Sequence, residues 1–323
     1  MCTEQMMRRS CKLVSIRQRN KGVALITALL MTSMAAILAI SMVSDQQLNL
    51  RRTSNLLDRD RAHVFAAGVE SWVIHILARD DKARDSLDED WAVVLPPIIV
   101  EGGSVAGKIE DMQGRFNINN LIDDEGKRSP ADVERFVNLL RGLGLDEALA
   151  PAVVDWLDKD SEPTFEGGWG AEDDEYSTFD VPYRTANQMM RSPSELLLVK
   201  GVTAEAYQLL APFLVALPTR TKINVNTASV EVIMSLSADI ARADAEAAMA
   251  AREEGPFDSV QVFTALDAIP QNSVAEEAIS VTSSYFLVDA TARYGSRGKV
   301  QMYSLLVRNG DKVAVVSRAQ GVL

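Results

Sequence analysis

An α+β fold is predicted for this chain: one long N-terminal helix packed on an antiparallel sheet, with a large helical domain inserted between strands. Three observations carry that expectation. An uncharged run from Val23 to Ser44 passes without a break into an amphipathic helical pattern. A short strand-like pair then precedes a helix-rich middle, and three strand-like runs close the chain.

The apolar run VALITALLMTSMAAILAISMVS has 22 positions, which span roughly 33 Å as a helix, enough for one bilayer. Six basic residues (Arg8, Arg9, Lys12, Arg17, Arg19 and Lys21) and only Glu4 precede it. The positive-inside rule therefore keeps the N-terminus in the cytoplasm and exports the chain beyond Asp45. The run is longer than the usual core of a cleaved secretory signal, and the helical pattern does not end with it. Leu48, Leu56, Val64, Phe65, Val69, Trp72, Val73, Ile76 and Leu77 continue it, several at spacings of three and four, and no Pro or Gly interrupts residues 23–67. These residues predict one helix of more than 50 residues, with a transmembrane half at 23–44 and an amphipathic half at 45–79.

Residues 80–97 form an acidic connector closed by Pro96-Pro97, followed by strand-like pieces at 98–101 and 105–112 around a Gly102-Gly103 turn. The predicted helices are 131–143, 147–157, 194–199, 204–217, 230–235 and 242–252. The runs 284–294, 299–307 and 312–318, separated by GSRG and NGD turns, predict a β meander. The expected organisation is a leader at 1–22, the helix at 23–79, connector and first strands at 80–121, an inserted helical domain at 122–280 and the meander at 281–323.

The formal charge is −12, and without the basic leader it is −17. Such a surface repels phosphate backbones, so no nucleic-acid partner is expected. Cys2 and Cys11 both lie in the leader, which leaves the exported part free of disulfides and thiolate metal sites. The only histidines, His63 and His75, fall on the predicted N-terminal helix twelve residues apart. No nucleophile elbow, Walker loop, zinc-protease motif or dinucleotide fingerprint occurs, so no enzyme is predicted.

Carboxylates are densest between two predicted helices: Asp155, Asp158 and Asp160, then FEGGWG, then Glu172, Asp173, Asp174 and Glu175. Calcium takes six to eight oxygen ligands, and a glycine-containing loop lets carbonyls converge with side chains. The spacing is not that of an EF-hand, and a solvated acidic loop at a helix end remains the alternative.

A basic leader ending in Lys21-Gly22 directly before a hydrophobic helix resembles the class III signal of type IV pilins and type II secretion pseudopilins. The phrases GVALITALL, RRTSNLL, DMQGRFNINNL, LRGLGLD, VVDWLDKD, GAEDDEY, YRTANQMMRSPSEL and INVNTAS, in that order, resemble the K-type minor pseudopilin (general secretion pathway protein K) over nearly the whole chain. The resemblance implies cleavage by a prepilin peptidase after Gly22 and methylation of Val23. It also implies a single-pass bacterial inner-membrane protein with a periplasmic domain, which moves to the pseudopilus tip on assembly. Its implied partners are the I-type and J-type minor pseudopilins, the major pseudopilin and the inner-membrane assembly platform. Most pilins carry Glu at the fifth mature position; here it is Thr27, a departure shared with the K type and suited to a subunit with nothing stacked above it. The family resemblance further implies a structural calcium site, with Glu172 and Asp173 as first ligands and Asp155, Asp158, Asp160 and Asn187 as contributors.

Two rivals remain at this level. One is a type IV pilus minor pilin. The other is a membrane-anchored DNA-binding protein, because residues 194–210 and 223–263 resemble tandem helix-hairpin-helix motifs with SAM-like helical packing. The first copy keeps only Lys200-Gly201-Val202 of the phosphate cradle, and the second has Ala238-Asp239-Ile240 where glycines are expected.

Overall fold

The computed structural model describes residues 21–94 and 96–321. The leader up to residue 20, with both cysteines, lies outside the described residues. Helix α1 (Lys21–Arg79) is continuous over 59 residues. The chain divides into two compact units at Leu57/Asp58. In the first, residues 23–44 are all exposed, and the helix is long and apolar enough to cross a membrane.

In the second unit, α1 turns a stripe of Ala62, Ala66, Val69, Val73 and Leu77 inward, at the spacings of three and four that mark one helix face. The stripe packs on a five-stranded antiparallel sheet in the order β1 (Ile98–Val100), β2 (Gly103–Asp111), β7 (Tyr285–Tyr294), β8 (Gly298–Asn309), β9 (Lys312–Gln320). Strand alternation sorts the sheet's faces. Phe286, Val288, Ala290 and Ala292 meet the helix, while Tyr285 and Leu287 meet the insert. Gly107 lets the helix approach, because a Cβ there would lie 2.7 Å from Val69 Cγ1. Glu70, buried on the same helix, accepts from Ser304 Oγ on β8 and from Arg318 Nε and Nη2 on β9, at 2.5, 2.8 and 2.8 Å.

β2 pairs directly with β7 over nine residues, so the 170-odd residues between them leave and re-enter at adjacent strands. In order they form β3 (Phe116–Asn117), α2 (Pro130–Gly142), α3 (Leu149–Leu157), α4 (Asp173–Tyr176), α5 (Ala204–Leu210), β4 (Leu214–Val215), β5 (Ile223–Asn224), α6 (Val230–Ser235), α7 (Arg242–Glu254), α8 (Val260–Thr264) and β6 (Ile279–Ser280). Their core is a single large cluster around Phe116, Phe136, Trp156, Tyr176 and Phe263.

One expected helix is shorter than its sequence pattern. The pattern at 204–217 runs as α-helix only to Leu210, because Pro212 cannot continue the hydrogen-bond ladder. Leu214 and Val215 are instead extended and pair in parallel with Phe116 and Asn117.

Buried asparagines explain two of the sequence phrases. In RFNINNL, the Asn117 carbonyl oxygen accepts from the Leu217 amide. Asn119 donates to the Met190 and Leu217 carbonyls and accepts from the Met190 amide, while Asn120 exchanges both bonds with the backbone of Thr221. In INVNT, Asn226 exchanges both bonds with Phe257, and Asn224 reaches the Asp85 carbonyl, Asp111 and Ser283. Each amide clips a non-adjacent backbone segment and satisfies groups that burial would otherwise leave unpaired.

The junction of sheet and insert centres on Asp111. Its buried carboxylate accepts from the Gln113 amide, Ser283 Oγ, Thr227 Oγ1 and Asn224 Nδ2 at 2.6–2.9 Å. Burial raises its pKa, and these bonds oppose the rise. Beside it, buried Asp85 accepts from the Ser283 amide and from Arg308, whose guanidinium also reaches Asp80 and lies 4.8 Å over the Phe286 ring.

Replacing Asp111 with Ala removes the acceptor of four donors and leaves two of them, the Gln113 amide and Ser283 Oγ, without another, while Asn224 keeps the Asp85 carbonyl and Thr227 Oγ1 the Asn224 carbonyl. Each buried unpaired group costs about 1–3 kcal/mol, so chemical denaturation of the region from Asp58 onward should show a loss of about 2 kcal/mol or more. Thr227→Val, which removes one donor and keeps the volume, should cost about 1 kcal/mol.

Candidate metal centre

Helix α3 ends where Asp158 turns the backbone to an extended conformation, and the chain then loops out and returns at Glu172, the residue before α4. This brings one carboxylate oxygen from each of Asp158, Asp160 and Glu172 within 4.8 Å of one another. Asp158 and Glu172 are buried, and Asp160 is exposed. Among the described residues, no ion pair involves any of the three.

Other expected residues take distinct places. Asn187, in the left-handed region at φ 43°, donates to the Asp160 carbonyl at 3.1 Å. Asp155 accepts from the Thr164 amide at 3.1 Å and so holds the loop rather than joining the trio. Asp173 is spent on Thr185, accepting from its amide and hydroxyl at 3.0 and 2.9 Å, with Arg184 3.7 Å away. The same Thr185 hydroxyl lies 3.1 Å from Glu172 Oε2 and orients that carboxylate. Nothing in the sequence pattern marks Thr185, because it reaches the site through a chain reversal 13 residues after Glu172.

Among the described residues, three buried oxygens here have no hydrogen-bond partner: Asp158 Oδ1, Glu172 Oε1 and Asn187 Oδ1. Unpaired acceptors lacking donors are costly in a protein interior, and carboxylate oxygens gathered this closely are the ligand type a hard cation takes. The acidities agree. Burial, with repulsion from neighbouring carboxylates, pushes Asp158 up to about 7; for Glu172, burial and the same crowding, opposed by Thr185, also give about 7.

A second acidic group, Asp80, Asp85 and Glu89, differs in kind. The Arg308 guanidinium already pairs with Asp85 and Asp80, and Glu89 accepts from Trp91 Nε1 at 2.6 Å. The helix-hairpin-helix resemblance is likewise absorbed into the fold. The Lys200 amide donates to Tyr176 Oη and its ammonium pairs with Glu175, both at 3.1 Å. His63 and His75 are exposed on α1. At Thr27, the hydroxyl bonds back to the Val23 and Ala24 carbonyls at 3.0 Å within its own helix.

The raised pKa values of Asp158 and Glu172 set a pH dependence in metal-free buffer. Asp158 and Glu172 hold protons more tightly folded, at about 7, than unfolded at 3.8 and 4.5. The folded state therefore binds more protons between about pH 4 and 7, and stability falls as pH rises through that window. With chelator present, the melting temperature should drop from pH 5 to pH 8. Asp158→Asn and Glu172→Gln should flatten that drop and stabilise the metal-free protein at pH 8 by about 1–3 kcal/mol each.

Two family profiles described as Type II secretion system (T2SS), protein K match residues 114–219 and 223–282. The chain is 34% identical to the type II secretion system protein K of Pseudomonas aeruginosa over 319 residues, covering 95% of this chain and 94% of the relative. It is 33% identical to that of Pectobacterium carotovorum subsp. carotovorum, with 95% and 98% covered. Among solved structures it is similar to a chain of the GspK-GspI-GspJ complex from the enterotoxigenic Escherichia coli type 2 secretion system. The TM-score there is 0.74 at 26% identity, with 84% of this chain and all of the other covered. The long helix, the sheet split by a helical insert and these likenesses agree, and the chain belongs to the type II secretion system protein K family, the K-type minor pseudopilins.

Proposed function

We propose that this subunit works at the tip of the pseudopilus, in a complex with I-type and J-type minor pseudopilins, and acts by geometry and not by catalysis. The observation that carries the reading is α1 itself: an uncharged, wholly exposed first part followed by a stripe packed on the sheet. Such a helix suits an anchor in the bilayer before assembly and a fibre core after it. The solved complex that names a K-type subunit with I- and J-type subunits supports the choice of partners. The large insert between β2 and β7, and an anchor without the usual Glu, suit a position with no subunit above.

In this reading the leader is cut between Gly22 and Val23 while the N-terminus is cytoplasmic, and residues after Asp45 face the periplasm. Mass spectrometry of the mature protein should find methylated Val23 as its first residue. An intact leader, or a cut near Ser44, would overturn the proposed processing.

We further propose that Asp158, Asp160, Glu172 and the Asn187 oxygen hold a structural calcium ion, with Asp155 and Asp173 fixing the surrounding loop. Calcium would supply the positive charge that the trio lacks. Ligand at about 100 times its Kd stabilises by about 2.7 kcal/mol, so calcium should raise the melting temperature of the exported region by several degrees at pH 8. Protons compete for Asp158 and Glu172, so the gain should shrink at pH 5. A melting temperature indifferent to calcium and chelator at pH 8 would dispose of the role.

A further inference from the structure

Between Asp155 and Glu172 the chain throws out a glycine-rich loop whose two aromatic rings point into solvent. Phe165 is 64% exposed and Trp169 76%, and they meet edge to face at 5.5 Å. Single exposed apolar residues are ordinary, but a mutually packed aromatic pair on one loop is not explained by shortage of interior.

The loop's backbone is fixed although its tip is bare. The Gly170 amide donates to the Thr164 carbonyl at 2.7 Å, and the Thr164 amide is held by Asp155. A Cβ at Gly170 would lie 1.8 Å from Asp155 Oδ2, so the strand of loop there is pressed against α3. Glu166, between the two rings, pairs with Arg128 at the foot of α2. Rings presented on a pre-ordered backbone lose little freedom on binding, which is the property of an interface anchor.

Charge selects the occupant. From Asp160 to Tyr183, between Lys159 and Arg184, the chain carries eight carboxylates. Glu166, Asp173 and Glu175 pair with Arg128, Arg184 and Lys200, and Asp160 and Glu172 belong to the candidate metal centre. Glu162, Asp174 and Asp180 stay exposed without an ion pair among the described residues. That field repels anionic lipid headgroups and nucleic acid alike, and it attracts a basic protein surface. We propose that Phe165 and Trp169 are a docking site for a protein partner that offers an apolar pocket rimmed by lysine and arginine. The pair fills the pocket, and exposed Glu162 and Asp174 steer the rim.

The test uses the full-length chain in secreting cells. Trp169→benzoylphenylalanine is irradiated, and the adduct is mapped by mass spectrometry. The expected product is a protein adduct on a lysine- and arginine-rich surface, reduced about tenfold or more by Glu162→Lys with Asp174→Lys. Phe165→Ser with Trp169→Ser should lower export about tenfold or more and leave the melting temperature of the purified chain unchanged. A phospholipid adduct, no adduct, an adduct indifferent to the charge reversals, or unchanged export would each overturn the proposal. Neither readout depends on a cation, so failure of the calcium reading leaves the test intact.

Discussion

The buried carboxylate of Asp111 is the constraint on which the unit from Asp58 onward depends. It stands at the last residue of β2, where the chain leaves the sheet, and it collects donors from the point of departure (Gln113), from the middle of the insert (Asn224 and Thr227) and from the point of return (Ser283). Asp85 and Arg308 extend the same junction to the end of α1 and to β8. A helical domain of this size could hang from two strands as a loosely tethered lobe. Here its entry and exit share hydrogen-bond partners, so displacing the insert would leave several buried polar groups unpaired at once. The asparagine clips at Asn117, Asn119, Asn120 and Asn226 apply the same rule inside the insert, where short two-residue ladders could not hold the backbone alone.

Periodicity made the long elements legible. The stripe Val69, Val73 and Leu77 and the alternation in β7 and β8 are local patterns that need no partner to be read. The features that escaped depend on contacts distant in sequence. Leu214 and Val215 carry helical spacing, yet they become a strand because Phe116, almost a hundred residues earlier, lies ready to pair. The asparagines of the two phrases owe their burial and their partners to segments far along the chain.

The candidate site divides in the same way. The sequence shows a density of carboxylates and the resemblance names six residues among them, but neither tells which side chains meet. Asp158 and Asp160 come from the end of α3, while Glu172 is brought back by the loop, and a later reversal sets Asn187 beside Asp160. That reversal also supplies Thr185, which takes up Asp173 and leaves Glu172 with one oxygen unpartnered. Composition fixes how many charges a segment carries. Only the path of the backbone decides which of them must share a cavity, and for Asp158 and Glu172 that sharing appears as acidities near neutrality.

The back-bonded hydroxyls of the anchor carry one more consequence. Thr27, Thr32 and Ser33 all satisfy themselves on carbonyls three or four residues earlier in the same helix. A charged side chain in an apolar bundle acts as a peg, since it finds its counter-ion at only one vertical offset between neighbours. The segment from Val23 to Ser44 has no such peg. No side chain in it would fix its offset against an adjacent helix, so that work would fall to the folded region from Asp58 onward and to the ammonium that the proposed cleavage creates at Val23.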